Sequence, residues 1–482
     1  MEGGGRGDSS SSSGRRLYAV MLPFLGQSHF NVYLKLSRML ATKGVAVIYV
    51  SLTSNMEILR PLVQEQGWNH DALPFYFQDL SIPDTEAPLP PGRQNTNKIS
   101  LDMMPKLFDL LDKMRDPFEV LMRELTGREY YESRSLQPPA RLVLVYDFFM
   151  GWSAAVAAKF GVRSFTFDPF SALVWLSKEA AFWDREDLLL LLPEVADAVE
   201  TMPSVGIGLS QVRKHMEYTR LADGVLLNTF LELEPKFIRH LQSGGGGKLF
   251  WAVGPVIDLP DRDHKLHSPR EGEILEWLGR QTRGSVVYVS FGTESHISPA
   301  QVMELAMGLE ASGQPFLWVL RPPDSRLTVG SSSAEDWKAE LLPEGYERRV
   351  QGRCLIETGW APQGAILAHE ATGAFISHCG WNSCLESVAA GVPIIALPLQ
   401  VDQPVNALLL AREAKVAVEM KIIDGIAERN EVERAVRRLM SGEGVEVKRR
   451  VEAVSKAAVS AIFHEEGDAW KTLDSFIQYA AE

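Results

Sequence analysis

LYAVMLPFLGQSHFNVYLKLSRMLATKGVAVIYV, residues 17–50, holds the folding unit that the rest of the chain repeats. Leu17 to Leu22 is short, mostly apolar and free of charge, the pattern of a parallel strand buried on both faces. Pro23 to Phe30 follows as a loop. Val32, Leu36 and Leu40 then recur at the spacing of one helix face, and Gly44 stops the helix. Val45 to Val50 is a second buried strand. Strand, loop, helix and strand in this order form a βαβ unit with a right-handed crossover.

Arg141 to Tyr146 and Gly224 to Asn228 supply later strands of the same type, which predicts an N-terminal doubly wound α/β domain. Composition shifts at Gly244 to Gly247 and again at Asp258 to Glu273. A second series then begins with Gly284 to Ser290 and continues in Pro315 to Leu320, Ala374 to Ser377 and Val392 to Leu397. The expected organisation is a disordered tail at 1–15, an acceptor-binding domain at 16–255 and a connection at 256–272. A sugar-nucleotide domain at 273–460 and a last helix at 461–482 that packs back on the first domain complete it. Asp324 to Asp336 reads as a mobile surface loop. The fold class is therefore α/β, two doubly wound Rossmann-like domains facing across a cleft, with ligands beyond the carboxyl ends of both sheets.

A chain of 482 residues is too long for one ordinary core, in keeping with two domains. Its 49 basic and 62 acidic residues give a net charge of −13, which argues against nucleic acid or an anionic membrane as the main partner. Three cysteines, Cys354, Cys379 and Cys384, make neither a disulfide framework nor a CxxC metal pair and suggest a reducing, cytoplasmic setting. The Gly/Ser-rich start lacks the apolar core of a signal peptide. The densest apolar run, Leu188 to Leu192, ends at Pro193, far short of the roughly 18 residues of a membrane span.

Chemistry concentrates between Trp360 and Gln403, WAPQGAILAHEATGAFISHCGWNSCLESVAAGVPIIALPLQVDQ. Two indoles, two imidazoles and three carboxylates are dispersed along loop, strand, loop, helix, strand and loop. A nucleotide joined to a sugar needs such parts. Trp360 offers a flat apolar plate for a base, and Gln363 has the reach to bond a ribose. His378, Gly380, Asn382 and Ser383 lie between a strand and the apolar-periodic segment from Leu385 to Ala390, where free backbone N–H groups favour a diphosphate. Glu386, one turn in, is placed to accept from ribose hydroxyls, and Trp381, Asp402 and Gln403 form a polar end for sugar hydroxyls. Each residue alone has a plainer reading, a core tryptophan or a solvated turn carboxylate; the grouping in one stretch favours the donor site. Cys379 and Cys384 read as packing residues.

This stretch closely resembles the signature box of the plant UDP-dependent glycosyltransferases, and matches it at both ends. The resemblance implies a GT-B fold and assigns the donor roles above to the same positions, with Gln27 and Ala361 completing the set. Phe291-Gly292-Thr293 is also similar to the family, in which that hydroxyl faces the phosphates, so Thr293 joins the candidates. Gln at position 403 goes with glucose as donor. The run from Gln27 to Met39, HCGWNSCLES and the VDQP ending look most like the zeatin O-glucosyltransferase branch, with Ser28 and the VYDFFMGW context as departures. A monomer acting on a UDP-sugar and a small lipophilic acceptor, without a cofactor, is what the family implies.

Sugar transfer to an alcohol needs a base, and histidine suits neutral pH. His29 lies at the carboxyl end of the first strand, where the cleft is expected, and the family's first loop ends in His at this position. Asp147, directly after an apolar strand, is a carboxylate at the same sheet edge; it reads either as the partner of His29 or as the N-cap of a helix from Gly151 onward. Phe24, Phe148, Phe149, Trp152, Trp175 and Trp183 are aromatic candidates for an acceptor wall, several of them core. No DxD-like pair stands beside the diphosphate motifs, so no metal is required; Asp261 and Asp263 have that spacing but fall in the connection. The reading is an inverting glucosyltransferase. An epimerase or hydrolase of a sugar nucleotide, or a non-catalytic UDP-sugar-binding relative, are the competing classes.

Overall fold

The apolar runs build two separate parallel sheets in the computed structural model, which describes residues 16–65, 68, 73–83, 86–90, 92–99, 103–183, 188–189, 193–201, 209–243, 247–258, 268–293, 295, 297–321, 334–463 and 466–482. The tail at 1–15, most of 324–336 and the middle of the connection, with Asp261 and Asp263, lie outside the described residues.

The first sheet contains β1 (Leu17–Leu22), β2 (Ala46–Leu52), β3 (Phe75–Leu80), β4 (Arg141–Asp147), β5 (Arg163–Asp168), β6 (Gly224–Leu227) and β7 (Leu249–Ala252). Its order is β3-β2-β1-β4-β5-β6-β7. The second contains β8 (Val286–Ser290), β9 (Phe316–Val319), β10 (Cys354–Glu357), β11 (Thr372–Ser377), β12 (Ile394–Ala396) and β13 (Ala417–Glu419), ordered β10-β9-β8-β11-β12-β13. Every pairing is parallel. Both are therefore doubly wound sheets, and each reverses its winding direction at one place, between β1 and β4 and between β8 and β11.

Helices that bear on the site are α1 (Gln27–Thr42), α2 (Met104–Lys113), α3 (Ala172–Trp183), α4 (Leu209–Thr219), α5 (Gln363–Ala368), α6 (Trp381–Ala389), α7 (Gln403–Leu408) and α8 (Asp468–Ala481). The loop expected from Pro23 to Phe30 is shorter than the sequence suggests. Gly26 is the extended N-cap and α1 begins at Gln27, so His29 rides on the first helical turn. Strands β3, β5, β7, β10 and β13 are not read from the sequence; β3 contains Gln78 and Asp79, β5 carries Thr166 and Asp168 among its buried positions, and the others are only three or four residues long. Polar or very short strands leave no apolar run to read.

After the second sheet the chain returns to the first. Phe476 of α8 meets Phe165 edge-on at 5.0 Å and Trp251 at 5.5 Å. Arg163 donates from Nη1 to the Tyr479 carbonyl at 2.7 Å, and Lys43 pairs with Asp474. The ring of Phe476 is 1% exposed. Its truncation, Phe476→Ala, should lower stability by about 3–5 kcal/mol, read as a shift in the urea unfolding midpoint; a loss near zero would mean that α8 does not close the first domain.

Candidate functional site

Leu22 pairs with Tyr146 across β1 and β4, so Asp147 stands one step beyond, beside the turn into α1. His29 Nδ1 and Asp147 Oδ2 are 2.7 Å apart, and the carboxylate is fully buried. The other oxygen of Asp147 accepts from the Phe149 N–H at 3.1 Å, capping the single 3₁₀ turn Phe148–Met150. Both readings of Asp147 thus coexist, except that the turn it caps begins at Phe148 and not at Gly151. A carboxylate with both oxygens bonded is held in one rotamer, and it holds the imidazole in turn.

The candidate aromatics separate by position. Phe24 and Phe149 lie 5.0 and 6.4 Å from the His29 ring, joined by Phe170 at 5.9 Å, which sequence reasoning missed. Trp152 packs on Phe118, and Trp175 packs on Phe250 and donates its N–H to Glu179; both are core. Trp183 lies under the Arg220 guanidinium. Phe148 takes part in a buried pair that no motif announced. Lys178 Nζ donates to Asp168 Oδ2 at 3.0 Å and lies 4.3 Å from the centres of both Phe148 and Phe170. Burial pushes the Asp168 carboxyl above its usual range, with the Lys178 charge opposing.

The second sheet repeats the plan. Ser290 pairs with Ser377 at the ends of β8 and β11, and the chain beyond each supplies Phe291 to Thr293 and His378 to Gly380. His378 lies between two glycines. A Cβ on Gly292, whose φ is +72°, would come within 2.9 Å of the ring, and one on Gly380 would collide with its Nε2. Cys379, between them, sits at φ +63°, a conformation that costs a non-glycine residue about 1–3 kcal/mol. Gly380 caps α6 without a side-chain bond, so the first N–H groups of α6 have no side-chain partner at the cap. Within α6, Ser383 and Glu386 both accept from Gln363 Nε2, at 3.1 and 2.8 Å. Gln363 opens α5, just after the half-buried Ala361 and Trp360, whose indole is 62% exposed. Thr293 is exposed, and its carbonyl accepts from Arg321.

The polar end of the box is more tightly built than its sequence suggests. Gln403 Oε1 accepts from the N–H groups of Leu399 and Gln400 at 2.9 Å each, and its Nε2 donates to Ser295 at 3.2 Å. The amide therefore closes the turn in which Val401, a β-branched residue, is held at φ +56°. Asp402 next to it accepts from Asn406 Nδ2 at 2.6 Å. Asn406, also missed, donates to the Cys379 carbonyl and accepts from Ser171 Oγ of the first domain, so it joins the Cys379 and Asp402 turns to the opposite side.

Two more bonds cross the cleft. Trp381 Nε1 donates to the Asn228 carbonyl at 2.7 Å, so its indole N–H is taken up by the domain contact. Asn382 Nδ2 donates to the Ser28 carbonyl at 3.1 Å, one residue before His29. Gln27 bonds Asn31 along α1 instead of reaching across. Among the described residues no three His, Cys, Asp or Glu side chains converge as metal ligands do, and no helix is long and apolar enough to cross a membrane.

Two family descriptions divide the chain: "Glycosyltransferase, N-terminal domain" matches residues 16–258 and "UDP-glucoronosyl and UDP-glucosyl transferase" matches 259–455. The chain is 33% identical over 447 residues to the zeatin O-xylosyltransferase of Phaseolus vulgaris, covering 90% of this chain and 92% of that one. It is 31% identical over 491 residues to the zeatin O-glucosyltransferase of Phaseolus lunatus, covering 98% and 99%. The structure of Phytolacca americana UGT2 complexed with UDP-2fluoro-glucose and pterostilbene superposes with a TM-score of 0.73 at 26% identity, covering 96% of this chain and 99% of that one.

Burial sets the charge state of the loop. It lowers His378 to about 4, so the imidazole is neutral at physiological pH, and its Nδ1 is enclosed without a hydrogen-bond partner. It raises Asp402 to about 6, with Asn406 opposing. Below its ordinary value of 6.5 the unfolded chain protonates His378 before the folded one does, so the stability this group contributes is full above about pH 6.5 and lost as pH falls toward about 4. Asp402 works in the opposite sense between 3.8 and about 6. Wild type against His378→Gln isolates the histidine: the wild-type urea midpoint minus the variant's should fall from about pH 7.5 to about pH 5. A constant gap would contradict a neutral buried His378.

Proposed function

The chain belongs to the plant UDP-glycosyltransferases, and on that footing we propose that it moves glucose from UDP-glucose to a hydroxyl of a small lipophilic plant metabolite or hormone, of flavonoid, terpenoid, phenolic or cytokinin type. The observation that carries this reading is the 2.7 Å contact between His29 and the buried Asp147 at the point where the first sheet reverses, directly opposite the donor loop. With the imidazole donating its Nδ1–H to the carboxylate, the lone pair is on Nε2, the atom that takes the acceptor proton. The acceptor oxygen then attacks the anomeric carbon as the bond to the diphosphate breaks, which inverts that carbon in one displacement.

The leaving UDP gains negative charge. The N-terminal N–H groups of α6, the Ser383 and Thr293 hydroxyls and a neutral His378 are suited to meet it. His378 contributes there as an N–H donor and not as a cation. Trp360, Ala361, Gln363 and Glu386 take the nucleoside in this reading, while Asp402 and the turn closed by Gln403 take the sugar. No metal is needed for such an arrangement.

Glucose is favoured by Gln403, whereas the Phaseolus vulgaris relative is named for xylose, so UDP-xylose belongs in the same assay. UDP release with each donor and a mixed phenolic and terpenoid panel, followed by mass spectrometry of products, tests the reading; donor hydrolysis without a glycoside would sink it. His29→Ala should lower transfer by about 10²–10⁴-fold with UDP affinity near wild type. An equal loss of UDP affinity would count against a base. Transfer should also survive exhaustive EDTA; loss of activity restored by Mn²⁺ or Mg²⁺ would overturn the metal-free account.

A further inference from the structure

His215 on α4 is 2% exposed and is surrounded by rings: Phe149 at 5.7 Å, Phe148 at 6.0 Å, Phe108 of α2 at 6.1 Å and Tyr218 at 6.5 Å. Its Nδ1 is enclosed with no hydrogen-bond partner. Nearby charges are engaged elsewhere. Lys214 pairs with Asp112, and Asp147 is bonded through both oxygens to His29 and Phe149. Burial lowers the imidazole to about 4, so it is a neutral ring with one N–H and one lone pair. A buried polar atom without a partner is destabilising, whereas phenylalanine would fill an aromatic cluster without that penalty.

The place of this ring in the cluster gives it a use. Phe149 lies 6.4 Å from His29 and 5.7 Å from His215, and Phe24, which touches His29, also faces Phe108 and Phe149. One continuous series of ring contacts thus runs from His29 through Phe24 and Phe149 to the unpaired imidazole. Flat faces such as these suit a planar apolar body, and a polar group at the far end of the series discriminates by what it can bond.

Resting on the reading of His29 as the base, we propose that His215 is a specificity residue for the acceptor. It pairs with a hydrogen-bonding atom at the end of a flat aromatic or conjugated alcohol opposite the hydroxyl that receives the sugar. The preferred acceptor is therefore polar at both ends and apolar between, and a flat alcohol with a purely hydrocarbon far end is a poorer substrate.

Two matched pairs test this with the full chain and UDP-glucose: 2-naphthol against 6-hydroxyquinoline, and 4-phenylphenol against 4-(pyridin-4-yl)phenol. In each, a ring nitrogen replaces a C–H at the far end with little change of shape. In at least one pair the wild-type preference in kcat/KM for the nitrogen-bearing member should exceed that of His215→Phe by roughly 5- to 100-fold, the worth of pairing one buried polar group. His215→Gln, which keeps a donor and an acceptor, should retain part of the preference. His215→Phe should melt no lower than wild type, because it removes an unpaired polar ring. Equal preferences in wild type and His215→Phe for both pairs, or a uniform slowing of all four acceptors, would overturn the proposal and make His215 a packing residue. Failure of the wild type to glucosylate any of the four, while members of the mixed panel are glycosylated, would overturn this proposal alone; donor hydrolysis without a glycoside across the panel as well would overturn the proposed function.

Discussion

A parallel sheet that winds first one way and then the other must leave a gap where the direction changes, because the two chain segments beyond that point depart to opposite faces. This constraint acts twice here, at β1/β4 and at β8/β11, and each gap holds one half of the site. His29 and Asp147 follow β1 and end β4, while Thr293 and His378 follow β8 and β11. Neither pair is near in sequence: His29 and Asp147 are 118 positions apart and nevertheless stand 2.7 Å apart in space. The strand order brings them together.

Around the gaps the backbone is held in conformations that it would not adopt alone. Cys379 and Val401 both sit at positive φ, in the two turns that flank the donor loop. Such strain persists only when the surroundings over-determine it. Here Ser377 Oγ accepts from the Cys379 N–H, and the Gln403 amide accepts twice across the Val401 turn. Asn406 then ties the two turns to each other through the Cys379 carbonyl and Asp402. Contacts to Ser28, Ser171 and Asn228 tie this loop to the first domain, one of them a single residue before His29.

Burial also decides which groups carry charge. His378 and His215 are both neutral because they are enclosed, and both have a ring nitrogen without a partner. Asp168 is balanced by Lys178, whose ammonium is flanked by Phe148 and Phe170. The interior around His29 and His378 therefore combines apolar rings with a few polar atoms fixed in place, a setting in which each hydrogen bond counts for more than it does in water.

The sequence by itself determined the βαβ unit and the doubly wound class, and it singled out the box from Trp360 to Gln403, because buried parallel strands and compact motifs are local patterns. It also named His29 and Asp147, each from its position after an apolar run. It did not reveal β5, with Thr166 and Asp168 inside it, or strands as short as β13, since a strand that is polar or three residues long has no period to detect. Phe170, Lys178, His215 and Asn406 carry no motif; they become part of the site only because helices from distant segments converge on the same gap. Tertiary structure alone decided that the Trp381 indole joins the domains, that Gln403 closes a strained turn, and which aromatics surround His29. Those outcomes depend on which hydrogen-bond partner lies within reach of each buried atom, and in a folded chain that partner is set by strand order and packing, not by distance along the sequence.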